Sequence, residues 1–262
     1  MDRYTRLNSL LELLTKRGHL DIDEVAAELD VSPATIRRDF DHLAEQQLVT
    51  RIRGGAVSAQ VSYDLPLRYK ASRHVSEKRR IGAATARLLP IGSVVGLTGG
   101  TTATEVARAI AARAATADSG AAREPATIVT NAVNIAGELM VRPHVRVVLT
   151  GGVARPQSYE LVGPLAERTL ADLSLDVAVL GVDAVDPGFG ASTRHEGEAA
   201  INALMATQAR RVIVVADSSK LAQRAFARVC PVSAMTILVT DDQAPADVLT
   251  AFERAGVEVR LA

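Results

Sequence analysis

The sequence has few of the residues from which disulfides, cysteine-rich metal sites or aromatic clusters are built. Its 262 residues include one cysteine, Cys230, no tryptophan, and an aromatic fraction of only 3%. A single cysteine excludes an intrachain disulfide and a metal site made of several cysteines. Because aromatic residues are scarce, the 48% of residues that are hydrophobic must build a core mainly from Ala, Val, Leu and Ile.

The chain also has no net charge, since 30 basic side chains balance 30 acidic ones. Net charge therefore gives no support to nucleic-acid binding, which would have to rest on local clustering. The first 18 residues carry charges throughout and do not look like a secretory signal. The longest uncharged stretch, between residues 87 and 105, is interrupted by Pro, Gly and Thr, which argues against a membrane span. We expect a soluble cytoplasmic protein with one small and one medium domain.

Apolar residues near the start of the chain have the spacing of helix faces. Three sets are visible: Leu7, Leu10, Leu11 and Leu14; Ile22, Val25, Ala26 and Leu29; and Ile36, Phe40 and Leu43. Gly18 ends the first predicted helix, Asp21 begins the second, and Ser32-Pro33 supplies an N-cap and a first-turn proline for the third. The short turn before the third helix predicts a helix-turn-helix.

The third helix is predicted to read DNA. If Ile36 and Phe40 face inward, Arg37 and Arg38 face outward near the helix N-terminus, where this motif meets base edges. Arginine binds guanine in bidentate fashion, and a helix N-terminus holds phosphate. Residues 48–57 then predict a two-stranded wing whose arginines alternate outward around a glycine turn. The predicted DNA contacts are Ser32, Ala34, Thr35, Arg37, Arg38, Arg51, Arg53 and Gly54.

An alternative is that Arg37 and Arg38 form a solvated helix face with Asp39 and Asp41 as partners. Residues 1–58 contain eight basic and ten acidic side chains. DNA binding would therefore depend on a basic stripe from which the acids are turned away, and it should be strongly salt-dependent.

The sequence predicts a winged helix-turn-helix domain at 1–58, a linker at 59–76 and an effector domain at 77–262. The linker lacks a sustained period and includes Pro66. Residues 68–80 carry six basic side chains against Glu77, which form either a solvated face or additional contacts to DNA phosphates.

The effector domain is predicted as a Rossmann-like doubly wound α/β fold with a mostly parallel sheet. Nearly continuous Val/Ile/Leu runs predict strands that are buried on both faces, with helical segments between most of them. These strands are predicted at 93–97, 127–130, 145–150, 177–182, 212–216, 236–240 and 257–261. The Ala/Gly-rich segment 114–125 is predicted as a surface loop.

Polar residues follow the predicted strands at the edge where ligands bind in such sheets. Threonine hydroxyls, glycine turns and helix-start N–H groups are suited to an anion such as phosphate, and Lys220 could add a positive charge. The predicted effector contacts are Gly99, Gly100, Thr101, Thr102, Thr104, Thr130, Asn131, Gly151, Gly152, Asp183, His195, Glu196 and Lys220. Each has a structural alternative: a Gly-Gly-Thr-Thr turn can simply cap a helix, Asp183 can form a turn, and His195 can be structural.

The segment VSPATIRRDFDHLAEQQLVTRIRGGA resembles the N-terminal signature of DeoR-type bacterial transcriptional regulators, in which VS-x-x-TIRRDL leads to a GGA wing. Phe40 stands where the family usually has Leu, and Ile52-Arg53 where it more often has a residue and His. The resemblance covers nearly the whole chain. It continues through Glu77-Lys78 at the start of a helix and then through GLTGGTTATEVA, IVTNAVNIAGEL, VVLTGG, LVGPLAE, GVDAVDPGFGAST, HE and VVADSSK.

This resemblance implies an effector domain similar in fold to ribose-5-phosphate isomerase. It implies that residues 99–104 hold phosphate and that Asp183, Glu196 and Lys220 face the sugar. The implied function is a repressor of carbohydrate-metabolism genes that binds operator DNA as a dimer or tetramer and responds to a phosphorylated sugar. No metal or further cofactor is expected.

An enzyme is the alternative. A sugar-phosphate isomerase carrying a DNA-binding domain could use Asp183 and Glu196 as acid and base. However, GVDAVDPGFGAST has no lysine where the isomerase's KG-x-G motif would place one. We therefore interpret both carboxylates as recognition groups.

Overall fold

A computed structural model describes residues 1–46, 48–58, 66–116 and 126–262. They form two compact units, Met1–Ser72 and Arg73–Ala262. Part of the predicted linker, 59–65, and most of the predicted loop at 114–125, from residue 117 on, lie outside the described residues. Residues 114–116 belong to a helix. Within the described ranges, no helix has the length and apolar character needed to cross a bilayer.

The first unit contains the predicted helices in the predicted order. Its elements are α1 (Arg3–Arg17), β1 (His19–Asp21), α2 (Ile22–Glu28), α3 (Pro33–Glu45), β2 (Val49–Ile52), β3 (Gly55–Ser58) and α4 (Leu67–Lys70). Gly18 ends α1 in the left-handed region at φ 72°, and the side chain of Asp21 caps α2. Ser32 caps α3 by accepting from the Thr35 N–H at 3.2 Å. The leucines of α1 pack with Ile36, Phe40 and Leu43 in one core.

The predicted wing is a sheet of three strands among the described residues of this unit, in the order β1-β3-β2. Both pairings are antiparallel, and His19–Asp21 had no sequence signal as a strand. The β1–β3 pairing requires glycine at position 55, because a Cβ there would lie 2.1 Å from the carbonyl oxygen of Leu20.

Part of the predicted linker folds onto the first unit. Tyr69 of α4 is only 3% exposed, and its ring stacks on that of Tyr4 at 6.3 Å between centroids. Its hydroxyl donates to Gln46 Oε1 at 2.6 Å, just beyond the end of α3. The segment around α4 is therefore anchored to α1 and α3.

The second unit alternates strands and helices. Its elements are α5 (Val75–Leu88), β4 (Val94–Leu97), α6 (Thr101–Thr116), β5 (Ala126–Thr130), α7 (Val133–Leu139), β6 (Val145–Leu149), β7 (Val153–Ala154), β8 (Leu161–Val162), α8 (Pro164–Ala171), β9 (Leu175–Gly181), β10 (Ala184–Asp186), β11 (Gly190–Thr193), α9 (Glu196–Thr207), β12 (Ala209–Val215), β13 (Ala227–Cys230), β14 (Ile237–Thr240), α10 (Ala246–Arg254) and β15 (Glu258–Leu261).

The predicted doubly wound sheet is confirmed. The described part of this unit contains a sheet of seven strands in the order β15-β14-β12-β9-β4-β5-β6, and every neighbouring pair is parallel. Each strand coincides, within a few residues, with one of the predicted apolar runs. The order reverses between β4 and β9, so the crevice for a ligand is expected at their carboxyl ends.

Both faces of the sheet are covered, which explains the continuous apolar runs. Val177 and Val179 of β9 face one core, together with residues of α5, α6 and α7. Ala178 and Leu180 face the other core, together with residues of α8, α9 and α10. Successive strand residues point to opposite faces, so a strand between two helix layers needs apolar residues at every position.

Two smaller sheets had no strand prediction. The strands β10, β11 and β13 form an antiparallel sheet, and β7 pairs with β8 in a short antiparallel hairpin. These strands have two to four residues, many of them small. They lack the long apolar run that marks the central strands.

Candidate functional site

The N-terminal half of α3 presents an exposed polar face. Ile36 and Phe40 are fully buried, whereas Ala34, Arg37 and Arg38 are exposed and Thr35 is partly so. Ser32 and Thr35 form a hydrogen-bonded pair at the helix start, with 2.9 Å between their hydroxyl oxygens. The predicted α3 contacts therefore share one solvent-facing surface at the helix N-terminus, where this motif meets base edges.

The two acids of α3 nearest in sequence to Arg37 and Arg38 do not neutralise these arginines. Asp39 is buried against Arg6 of α1, and Asp41 lies 3.0 Å from Arg51 of the wing. Across the described residues, no ion pair joins Arg37 or Arg38 to a carboxylate. The Nε of Arg38 donates to the carbonyl oxygen of Ala34 at 3.3 Å, within the same helix. The alternative in which Asp39 and Asp41 pair with these arginines is therefore wrong.

The wing presents one of its two predicted arginines. Arg53 lies in the turn with Gly54, which has φ 80°, and both are exposed. Arg51, which was also predicted to point outward, is only partly exposed. Its guanidinium lies 5.6 Å from the centre of the Phe40 ring and donates to the carbonyl oxygen of Gly55 at 3.1 Å. Along β2 the outward positions are Thr50 and Ile52, because Arg51 shares its side of the strand with buried Val49.

In the second unit, the strand ends meet where the strand order reverses. The Gly181 N–H at the end of β9 donates to Thr98 Oγ1, beyond the end of β4, at 2.8 Å. A Cβ on Gly181 would lie 2.6 Å from the Gly99 carbonyl oxygen, so glycine allows this close approach. Gly99 is buried, and Gly100 has φ 107° immediately before α6.

The first turn of α6 carries the predicted threonines. Thr104 Oγ1 donates to the Gly100 carbonyl oxygen at 2.9 Å and accepts from Asn134 Nδ2 of α7 at 3.2 Å. Thr102 is 1% exposed, and its Oγ1 has no hydrogen-bond partner among the described residues. A buried hydroxyl without a partner is costly unless something else bonds to it.

Sequence reasoning missed a carboxylate that lies against this turn. Glu160, just before β8, is 5% exposed and accepts from Asn131 Nδ2 at 3.0 Å. A Cβ on Gly99 would lie 2.7 Å from its carboxyl carbon. The Oδ1 of Asn131 is buried and finds no partner in the described part of the chain. Thr130 is occupied locally, since its Oγ1 accepts from the Ala132 N–H at 3.1 Å.

The end of β6 is more open. Gly151 is exposed at φ 73°, and Gly152 has φ 120°. A Cβ on Gly152 would lie 2.8 Å from the Val162 carbonyl oxygen, so this glycine lets the chain turn tightly into the β7–β8 hairpin.

A second polar network follows β9. Asp183 Oδ2 accepts from Thr193 Oγ1 at 2.9 Å and from the Arg194 N–H at 3.2 Å. The same Thr193 hydroxyl lies 3.2 Å from Glu198 Oε2, and Arg155 Nη1 donates to Glu198 Oε1 at 2.8 Å. Since the Arg155 N–H also donates to the Glu160 carbonyl oxygen at 2.8 Å, the hairpin links this network to Gly99 and Asn131.

The start of α9 differs from the sequence expectation in one respect. His195 is the N-cap, and its Nδ1 accepts from the Gly197 N–H at 3.1 Å. Glu196 is exposed, whereas Glu198 is 4% exposed and belongs to the network. The role of Glu196 as an effector contact stays a prediction. Glu198 is a second carboxylate, after Glu160, that the sequence analysis did not single out.

Lys220 joins the end of β12 to the end of β9. Its Nζ donates to the Val182 carbonyl oxygen at 2.7 Å. Burial opposes ionisation of nearby Asp217, but the charge of Lys220 and a hydrogen bond from Ser219 outweigh it, with smaller contributions from Lys78 and His74. The pKa of Asp217 is therefore lowered from its ordinary value.

Hydrogen bonds thus connect the ends of β4, β5, β9 and β12 with the β7–β8 hairpin and the start of α9. The sequence predicted the strand-end residues because the strands themselves were visible. Arg155, Glu160 and Thr193 were missed because they come from the short strands and turns, and Glu198 was missed because it lies in the first turn of α9, beyond the His195-Glu196 pair. Asn131 and Thr102, whose Oδ1 and Oγ1 are among the buried side-chain atoms that lack a partner in the described part of the chain, both belong to the predicted effector contacts.

Family models match both units of the chain, and known proteins are similar to it over nearly its whole length. The model of the DeoR-like helix-turn-helix domain matches residues 6–61, and that of the DeoR C terminal sensor domain matches residues 73–242. The chain is 32% identical over 261 residues to the putative aga operon transcriptional repressor of Escherichia coli O157:H7, covering 98% of this chain and 93% of that protein. It is 28% identical over 261 residues to the glycerol-3-phosphate regulon repressor of Escherichia coli strain K12, covering 100% of each.

Among solved structures, ribose 5 phosphate isomerase A from Neisseria gonorrhoeae is similar to part of this chain. The match covers 55% of this chain and 52% of the isomerase, with 18% sequence identity and a TM-score of 0.38. Similarity at this level carries no information about the chemistry of the site.

Proposed function

This chain belongs to the DeoR family, and we propose that it is a transcriptional repressor of carbohydrate-metabolism genes whose affinity for operator DNA changes when a phosphorylated sugar binds. Relatives that span nearly the whole chain are named as repressors of the aga operon and of the glycerol-3-phosphate regulon. A repressor that acts on operator DNA works in the cytoplasm, where we expect this chain.

One observation carries the DNA-binding half of the proposal. Arg37 and Arg38 are exposed on α3, while the neighbouring acids are paired with other arginines. The first unit therefore keeps a basic stripe despite its slight excess of acidic residues. Such a stripe supports phosphate contacts, guanine contacts, or both.

The effector half rests on the polar residues and glycine turns at the strand ends. Glycine turns and a helix N-terminus are suited to a phosphate group. The surrounding carboxylates of Glu160, Asp183 and Glu198 are suited to accept hydrogen bonds from hydroxyl groups. A phosphorylated sugar offers both kinds of group in one small molecule.

Repression and its release follow from two states of the protein. We expect a dimer or tetramer to place two recognition helices on repeated or inverted half-sites. A ligand changes the DNA affinity only if it binds the DNA-bound and free states with different affinities, and DNA then changes ligand affinity by the same factor.

The proposal treats the second unit as a sensor and not as an isomerase. Asp183 Oδ2 already accepts hydrogen bonds from Thr193 and Arg194, and Glu196 is exposed. A coupled assay with ribose 5-phosphate and related esters should show no turnover. Turnover that Glu196→Gln abolishes would overturn this part of the proposal.

A melting-temperature screen of candidate ligands tests whether the effector is a sugar phosphate. Ligands that bind the folded protein raise its Tm in a concentration-dependent manner. We expect a sugar phosphate to raise Tm, while the matched sugar without phosphate has a much smaller effect. The same ligand should change the affinity for a duplex spanning the chain's own promoter. If no sugar phosphate at saturation changes that affinity, the regulatory half of the proposal fails.

A further inference from the structure

The carboxylate of Asp39 is an unexpected feature of α3. It directly follows the two exposed arginines in the sequence, yet it is 2% exposed and lies beside the fully buried Phe40. An ionised group in such a position is costly unless a partner of opposite charge compensates it. A helix that only needed an apolar inner face would have no reason to bury an acid there.

The main partner is Arg6 of α1, which makes two hydrogen bonds to Asp39, while the more exposed Arg3 of α1 lies 3.9 Å from Asp39 Oδ1. Arg6 Nε donates to Asp39 Oδ2 at 2.5 Å, and Arg6 Nη2 donates to Asp39 Oδ1 at 3.2 Å. The Arg6 side chain is 11% exposed and that of Asp39 is 3% exposed. The hydrogen bond to Asp39 raises the pKa of Arg6 above its ordinary value, more than burial lowers it.

A bidentate arginine–carboxylate contact fixes the relative orientation of the two side chains as well as their distance, because the planar guanidinium matches both carboxylate oxygens in one orientation. Apolar packing by Ile36, Phe40 and Leu43 decides which face of α3 is inward, but the hydrophobic effect is non-directional and defines the exact rotation of the helix less sharply than a bidentate contact does. Successive residues are about 100° apart around a helix. Fixing Asp39 toward α1 therefore fixes where Arg37 and Arg38 point.

We propose that Asp39 is a positioning residue for operator recognition: its buried pair with Arg6 sets the rotation of α3, and with it the direction of Arg37 and Arg38. This inference rests on the proposed DNA-binding function. Hydrogen bonds to base edges demand placement within about 0.5 Å and 10–20°. Contacts to phosphates tolerate more movement, so the pair should govern sequence preference more than general DNA affinity.

The chain offers a matched control. Arg17 of α1 forms a two-pronged pair with Glu28 of α2, at 2.8 and 3.1 Å. Both side chains are more than two-fifths exposed, and neither belongs to α3. This second pair has the same chemistry, but its charges are not buried and it does not include a residue of the recognition helix.

The test replaces the buried pair by apolar side chains, Arg6→Met with Asp39→Leu, because such double replacements usually preserve folding. Anisotropy titrations would compare a duplex of the chain's own promoter with a random duplex. We expect preference for the promoter duplex to fall about ten-fold, as for the loss of one base contact. Binding to the random duplex, its salt dependence and the Tm should stay near those of the parent chain. The control, Arg17→Gln with Glu28→Gln, should keep the full preference.

A folded double variant with unchanged preference would overturn the inference. If the parent chain itself shows no preference, the proposed function fails instead, and the two failures are thereby distinguished. If the double variant does not fold, the single variant Arg6→Lys tests the proposal instead. Lysine keeps the charge but lacks the fork, so it should lower the preference at an unchanged Tm, and full preference would contradict the proposal.

Discussion

Asn131 at the end of β5 donates from Nδ2 to Glu160 Oε2 at 3.0 Å, and Glu160 in turn lies against Gly99 at the end of β4. This contact brings an acid from the β7–β8 hairpin to the turn that is predicted to hold phosphate. The hairpin therefore forms one wall of the proposed effector site. It also crowds the position that a Cβ on Gly99 would occupy, so glycine is favoured there for lack of space and not for backbone freedom.

Gly99→Ala should impair effector binding. The added Cβ would lie 2.5 Å from Glu160 Cγ, so Glu160 would have to move and give up its present position beside Asn131. Overpacking of this kind costs about 1–3 kcal/mol. We expect the Tm increase caused by an effector sugar phosphate to shrink strongly. Gly137→Ala on α7 is the control, since a Cβ there meets nothing within 4 Å. A full ligand response in Gly99→Ala would contradict the assignment of this turn.

The central sheet could be predicted from the sequence, and the walls of the site could not. Strands such as Leu175–Gly181 are apolar at every position because both of their faces are buried, and that leaves a plain signal. Glu160 and Arg155 lie in a hairpin whose strands have only two residues each. Their role depends on where the hairpin folds back, which is decided by tertiary contacts and by glycines at its base.

The two arginines expected in the wing also show that tertiary contacts decide what the sequence pattern leaves open. Alternation along β2 indicates that Arg51 and Thr50 face opposite sides, but it does not say which side is outward. The neighbouring Phe40 ring and the acid Asp41 give Arg51 partners within its own unit. By contrast, the outward face of α3 was predictable, because Ile36 and Phe40 define its inner face.

Alanine substitutions at Arg37 and Arg38 should separate two kinds of DNA contact. Loss of a base contact should cost about 1–3 kcal/mol and relax the sequence preference. Loss of a phosphate contact should weaken all duplexes alike and lower the salt slope by about one. Titrations at several salt concentrations measure both quantities. Arg17→Ala, away from α3, should change neither one, and an equal effect of all three substitutions would argue against a specific role for the α3 arginines.

Tyr69 should stabilise the DNA-binding unit although it lies in the predicted linker. Tyr69→Phe removes the hydrogen bond to Gln46 and should cost about 0.5–1.5 kcal/mol. Tyr69→Ala also removes the packing against Tyr4 and should cost about 3–5 kcal/mol. Urea unfolding followed by circular dichroism measures both. Ala71→Ser, at an exposed neighbouring position, should stay within about 0.5 kcal/mol. A Tyr69→Ala variant as stable as the parent chain would show that α4 does not belong to this unit.

Asp217 should add stability that depends on pH in a defined direction. Its pKa is lowered in the folded protein, so its ionised form favours folding. The stability contributed by ionised Asp217 is fully present above 3.8, the ordinary pKa of aspartate. It is lost as pH falls through the lower pKa that Asp217 has in the folded protein. Asp217→Asn should therefore be less stable than the parent chain at pH 7, and the gap in Tm should narrow below about pH 4. Glu253→Gln, on the exposed side of α10, is the control. A gap that widens on acidification would contradict this sign.

The most direct test is a titration of the intact chain against two duplexes of equal length at low ionic strength. One duplex carries the promoter of the chain's own gene, and the other carries its base composition in random order. The account predicts tighter binding to the promoter duplex, a preference that largely disappears in the Arg37→Ala, Arg38→Ala double variant, and a change in affinity when a sugar phosphate is added. Equal affinity of the parent chain for both duplexes would contradict it.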